Sequence, residues 1–281
     1  MRAIIILIAV AGLGATSGCG GSSGSSEKKE VAASFYPLAF AAQELGGDNV
    51  EVVNLTPPGT EPHDLEPTPS DVRELKSADL VLLLGHGFQP QLEDAAGNGD
   101  EVVDLLDTPW VNRFENGDPH VWLDPARYEL IARRIGDELG TRASVRSFVS
   151  RLKALDRDYR RGLTDCARDD IVTSHDAFGY VAQRYGLHQI PITGLSPEAE
   201  PSPKDLSRVV DLVRSTHATT VFSETLVSPR IAKAVASETG ARTAVLNPIE
   251  GLEPSEAEKG ADYFVLMRSN LAALRLALGC R

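Results

Sequence analysis

Three of the six histidines in the chain share a setting suited to chemistry. His63 lies in the Pro/Gly-rich stretch Thr56-Pro57-Pro58-Gly59-Thr60-Glu61-Pro62-His63-Asp64, just after a run that reads as a strand. His120 sits in Asp118-Pro119-His120-Val121-Trp122-Leu123-Asp124-Pro125, directly before a helical pattern. His175 falls in Thr173-Ser174-His175-Asp176, between a strand and a helix. Imidazole nitrogen suits zinc, copper, nickel and iron, and three imidazoles make most of a tetrahedral zinc site. Each ring has a carboxylate close by in sequence, namely Asp64, Asp118 with Asp124, and Asp176. Such carboxylates can fix the tautomer and orientation of a ligating ring. Long-range spacing carries no register, however, so the elements around the three rings must decide whether they meet.

Those elements alternate. Val31–Tyr36, Val50–Leu55, Leu80–Leu84 and Glu101–Val103 read as strands, with helical spacing over Leu38–Leu45, Ser70–Ala78 and Gln89–Ala96. Ser70, after Pro67 and Pro69, reads as an N-cap. Two longer helical patterns follow. Pro125–Gly140 opens on proline and stops at glycine, and Ser144 to about Cys166 carries a continuous apolar stripe. Beyond it the alternation resumes, with strands Ile171–Thr173, Gln189–Ile192, Thr219–Ser223 and Arg242–Leu246. Helices Ala177–Tyr185, Pro203–Ser215, Pro229–Thr239 and Gly260–Leu278 are interleaved with them. Strands alternating with helices predict parallel sheets. The expected fold class is α/β: two lobes of parallel sheet flanked by helices and bridged by a long helix. The N-terminal lobe covers 31–143, the linking helix 144–165 and the C-terminal lobe 166–281. Ligands of open α/β sheets gather beyond the carboxyl ends of the strands, so all three rings can point into one inter-lobe cleft.

The first eighteen residues do not belong to this fold. Arg2 precedes the apolar run Ala3–Ala15, which is too short to span a bilayer as a mature helix and reads as a signal-peptide core. It ends in Thr16-Ser17-Gly18-Cys19, as in a bacterial lipoprotein cleavage site, which makes Cys19 the expected lipidation point. Residues 19–30, rich in Gly and Ser and then charged, read as a flexible tether. The chain is therefore expected outside the cytoplasm, held to the membrane by a lipid on Cys19. The net charge of −12 and the lack of a basic face argue against nucleic acid. Of three cysteines, Cys166 and Cys280 remain once Cys19 is set aside. A pair in an exported protein reads as a disulfide, the alternative being two free buried thiols.

The phrases around the histidines carry a resemblance. Gly59–Asp71 with its His63, Asp118–Pro125, Ser174–Tyr180 and the stretch Asn247-Pro248-Ile249-Glu250-Gly251-Leu252 occur in order. Together they resemble the zinc- and manganese-binding solute-binding proteins of ABC importers, from about Val31 to the carboxy terminus. The resemblance implies one transported metal in the cleft, a membrane permease as partner, no catalysis, and a monomer. It implies His63, His120 and His175 as the first three ligands. Histidine at the third position marks zinc-type rather than manganese-type members, so Zn2+ is expected, with Mn2+ the alternative. At the fourth position many members have Asp where this chain has Asn247. Glu250 is the preferred replacement, with Asn247, Glu61 or a water as alternatives. The His-rich loop often found before the second ligand is missing, since 112–117 is short and has no His.

The remaining polar residues get plainer readings. His86 follows a strand on the cleft side, Glu224 is placed to hydrogen-bond a ligand histidine, and Trp122 to pack beneath the second ligand. His188 and His217 read as structural or surface residues. Two other functions compete with the carrier. A zinc hydrolase would need an open metal position and a general base, and no His-Glu-x-x-His pattern is present. A lipoprotein adhesin could coexist with metal binding.

Overall fold

The computed structural model describes residues 28–111 and 117–281. The expected signal segment, Cys19 and nearly all of the 112–117 loop lie outside the described residues. The first sheet comprises β1 (Lys29–Ala33), β2 (Val50–Asn54), β3 (Leu80–Leu83) and β4 (Val102–Asp104), ordered β2-β1-β3-β4 and wholly parallel. The second comprises β5 (Asp170–Thr173), β6 (His188–Pro191), β7 (Thr220–Ser223) and β8 (Arg242–Val245), ordered β6-β5-β7-β8 and again parallel. In both sheets the first strand lies inside the second and third, so the winding direction reverses beside it. A crevice opens at such a switch point, beyond the carboxyl ends of the strands.

Helices α1 (Tyr36–Gly46), α2 (Pro69–Ser77) and α3 (Pro90–Ala96) serve the first sheet. Helices α6 (Gly179–Tyr185), α7 (Pro203–Ser215) and α8 (Arg230–Thr239) serve the second. Between the lobes run α4 (Pro125–Leu139) and α5 (Arg142–Gly162), and the chain ends with α9 (Pro254–Glu258) and α10 (Tyr263–Leu278). The Asp124 carboxylate caps α4 by accepting from the Ala126 N–H, and Gly140 ends it at a φ of 67°, where glycine avoids the Cβ penalty. At 21 residues α5 extends about 30 Å. Its stripe Val145, Phe148, Val149, Leu152, Leu155 and Tyr159 is buried, packed on α4, α1 and α10.

The apolar packing is not divided at the lobe boundary. One continuous core runs from Val31, Leu82 and Trp122 through Phe148 and Tyr159 to Ile171, Phe222, Leu246 and Leu278. Separate clusters cover the outer faces, Leu55, Leu75 and Leu92 on the first sheet and Val172, Val209 and Val235 on the second. The Cys166–Cys280 disulfide ties the end of α10 to the segment entering β5.

Three sequence expectations are corrected. The first strand ends at Ala33, and Tyr36 already belongs to α1, because Pro37 fits the first turn of a helix. Thr68, not Ser70, caps α2. Its hydroxyl accepts from the Asp71 N–H while Asp71 accepts from the Thr68 N–H, a reciprocal box with Pro69 in the first turn. The last helix starts at Tyr263 rather than at Gly260, because Asp262 caps that start by accepting from the Val265 N–H.

Candidate metal centre

His63, His120, His175 and Glu250 converge where the two sheets face each other. His175 comes two residues after β5, and Glu250 from the loop after β8. His63 belongs to the loop between β2 and α2, and His120 to the segment leading into a 3-10 turn at Val121–Leu123 before α4. His120, His175 and Glu250 are fully buried, and the His63 side chain is 11% exposed.

Four spacings define the cluster. Glu250 Oε1 lies 3.3 Å from His63 Nε2, 3.0 Å from His120 Nε2 and 3.3 Å from His175 Nε2. His120 Nε2 and His175 Nε2 are 3.2 Å apart. Donors about 2.0–2.1 Å from a tetrahedral zinc stand about 3.3–3.4 Å from one another. Each of these four spacings lies close to that separation, and all four ligand atoms lie within 4.8 Å of one another.

Outer carboxylates aim two of the rings. Asp118 Oδ1 is 2.7 Å from His120 Nδ1 and also accepts from the His120 N–H at 2.9 Å. Glu224 Oε1 is 2.7 Å from His175 Nδ1 and accepts from the His175 N–H at 3.1 Å. A proton held on each Nδ1 leaves the Nε2 lone pair for the centre. Asp124 and Asp176, also near in sequence, do not take this part. Asp124 instead pairs with Arg127 and with Arg184 of the second lobe.

The loops that present the donors are stapled across the cleft. Trp122 Nε1 donates to the Pro248 carbonyl at 2.8 Å, Tyr180 Oη to the Asp118 carbonyl at 2.9 Å, and Tyr263 Oη to the Trp122 carbonyl at 2.6 Å. All three bonds are buried, so the His120 segment is joined to the second lobe's donors. Beneath the rings is an aromatic floor. Phe88 packs on His63 with centroids 4.7 Å apart and Trp122 on His120 at 5.2 Å, while Phe35 contacts both Phe88 and Trp122.

Asn247 faces away from the cluster. Its Oδ1 accepts from the Ile249 N–H at 2.8 Å and its Nδ2 donates to Glu256 at 3.2 Å, folding the loop before Glu250. Ile249 has a φ of 58°, costly for a β-branched residue, and it immediately precedes Glu250. Glu61 sits at the edge. Both its oxygens accept from the His63 N–H, and Oε1 is 4.0 Å from His63 Nε2. His86 is exposed and lies outside the cluster, while His188 and His217 are surface residues.

The charges are strongly coupled. Burial pulls the His175 pKa down, but the charges of Glu224 and Glu250 overcome it and raise the ring to about 10. His120 is raised for the same reason, its hydrogen bonds to Asp118 and Glu250 outweighing burial. Burial would lift Glu250, yet His175 and the other rings hold it well below the usual carboxylate range. Glu61 is pushed up to about 8, first by burial and then by the charge of Glu250.

Residues 31–277 match the family model of the periplasmic zinc-uptake complex component A, ZnuA. The high-affinity zinc uptake system protein ZnuA of Bacillus subtilis is 32% identical over 307 residues, covering 99% of this chain and 96% of that protein. The zinc-binding protein AdcA of Streptococcus pyogenes is 33% identical over 287 residues. That match covers 89% of this chain, which spans only 56% of AdcA's length. The crystal structure of the Zn(II)-bound ZnuA-like domain of Streptococcus pneumoniae AdcA superposes with a TM-score of 0.78 at 30% identity, covering 90% of this chain and 99% of that one. On the match to its family model, carried across both sheets and all four converging residues, this chain belongs to the periplasmic zinc-uptake complex component A (ZnuA) family.

Proposed function

We propose that this chain captures Zn2+ outside the cytoplasm with His63, His120, His175 and Glu250 and passes it to the membrane permease of an ABC importer. The observation that carries this reading is the convergence of three imidazoles and one carboxylate, with Glu250 Oε1 at 3.3, 3.0 and 3.3 Å from the Nε2 atoms of His63, His120 and His175. Three neutral imidazoles suit zinc better than manganese, and one carboxylate offsets part of the ion's buried charge. Glu250 is favoured as the fourth ligand because Asn247 is occupied in its own turn and Glu61 stands at the edge. Four protein donors also leave no open position for an activated water, which is what a zinc hydrolase requires. The carrier works as a monomer, tethered by a lipid on Cys19. The test of the whole reading is native mass spectrometry with elemental analysis of protein purified without chelator, expected to show one zinc per chain.

Glu250→Gln keeps the shape of the side chain and removes its charge. It is expected to weaken zinc binding by at least about tenfold, the low end of losses from outer partners alone, in a chelator-competition titration. Unchanged affinity, with a zinc-bound structure showing Glu61 or water at about 2.0–2.2 Å, would move the fourth role elsewhere.

Acid is expected to compete with the metal. The His175 pKa, raised to about 10, means that at neutral pH the ring carries a proton that zinc must displace. Below that value, affinity falls as pH falls, by about tenfold per pH unit for each proton released. Calorimetry at pH 7 in two buffers of different ionisation enthalpy is expected to report at least one proton released per zinc. Identical heats in both buffers would contradict it.

A further inference from the structure

A second set of metal-type donors lies on the cleft end of the first sheet, outside the four-donor centre. His86 follows β3, Asp104 ends β4, and Asp107 follows three residues later. His86 Nε2 is 2.9 Å from Asp107 Oδ1 and 3.8 Å from Asp104 Oδ2, spacings that bracket the separation of neighbouring ligands on a zinc ion, about 3.3–3.4 Å in a tetrahedron. Gly85 lets this happen, because a Cβ there would meet the Asp104 carboxylate at 2.0 Å. The side chains are 52%, 31% and 74% exposed for His86, Asp104 and Asp107, so water can complete the coordination.

We propose that His86, Asp104 and Asp107 form a weak, solvent-facing site for divalent transition metals, distinct from the buried centre. One imidazole and two carboxylates form a mixed nitrogen and oxygen set that Zn2+ accepts. Two residues beyond His86, Phe88 packs against the ring of His63. An outer donor is therefore two positions along the chain from a side chain that packs on the inner centre. Three of the inner donors are buried, and only the His63 side chain is partly exposed. The outer donors face solvent, so their ion exchanges with the surroundings more readily than one at the inner centre.

The experiment is equilibrium dialysis of the metal-free protein against increasing Zn2+, with bound metal counted per chain. The wild type is expected to take up one tight equivalent and then one weaker equivalent. His86→Ala and Asp107→Asn, both at exposed side chains, are expected each to weaken the second equivalent by at least about tenfold and leave the first unchanged. His175→Ala is expected to do the reverse, which separates failure of the outer site from failure of the inner one. A wild type saturating at a single equivalent, or a second equivalent unaffected by either His86→Ala or Asp107→Asn, would overturn the proposal.

Discussion

His120→Ala is expected to lower zinc affinity by at least about a hundredfold, the upper end of what losing even an outer ligand partner costs. The ring occupies the middle of the cluster, with its Nε2 next to both Glu250 and His175. Its removal leaves two imidazoles and a carboxylate, and the buried Asp118 loses its ring partner while still accepting from the backbone N–H of position 120. A hydrogen bond to a charged group contributes about 1.5–3 kcal/mol, so the metal-free variant also melts earlier. The clearest readout is the thermal shift on adding zinc. Binding at a thousandfold excess over Kd stabilises by about 4 kcal/mol, and the variant should lose that gain at zinc concentrations that saturate the wild type. His175→Ala should behave alike, since Glu224 likewise loses its ring partner and keeps the backbone N–H of position 175. His63→Ala should cost less, because its loop is partly exposed. Equal affinity in all three variants and the wild type would sink the ligand assignment.

Removing the disulfide is the second large effect. Cys166 and Cys280 are 114 residues apart, and closing a loop of that size is worth about 4–5 kcal/mol in the chain-entropy model. A Cys166→Ser, Cys280→Ser double variant is therefore expected to melt on the order of 10 °C lower. The effect should appear without zinc as well as with it, because neither cysteine touches the centre. The bond holds the end of α10, which carries Asn270, and Asn270 exchanges hydrogen bonds with the backbone of Asn247. Zinc affinity in the folded double variant should change little. A melting temperature equal to the wild type's under non-reducing conditions would mean that the crosslink adds nothing the packing does not already supply.

Much of the fold could be read from pattern, because parallel strands buried on both faces are short β-branched runs and α5 is a long single stripe. What could not be read were boundaries decided by caps. Thr68 outcompetes Ser70 because Asp71 can answer it, and Asp262 sets the start of the last helix at Tyr263 rather than at Gly260. At the centre, the three histidines were legible from their phrases. Their partners were less so, since the nearest carboxylate in sequence is not the nearest in space. Glu224, nearly fifty residues from His175, orients that ring, while Asp176 beside it does not. The part of Asn247 is likewise invisible to composition. It turns out as the pin of a turn, and only its hydrogen bonds to Ile249 and Glu256 reveal this.

The continuous core has a consequence for how the carrier can work. Turning one lobe away from the other would expose apolar surface shared by α1, α4, α5 and α10. At about 25 cal/mol per Å2, baring even 200 Å2 costs on the order of 5 kcal/mol. Wide opening is then a rare excursion rather than a working stroke. A molecule built this way acts as a mould rather than a jaw, its donors carried on two lobes that a shared core holds together.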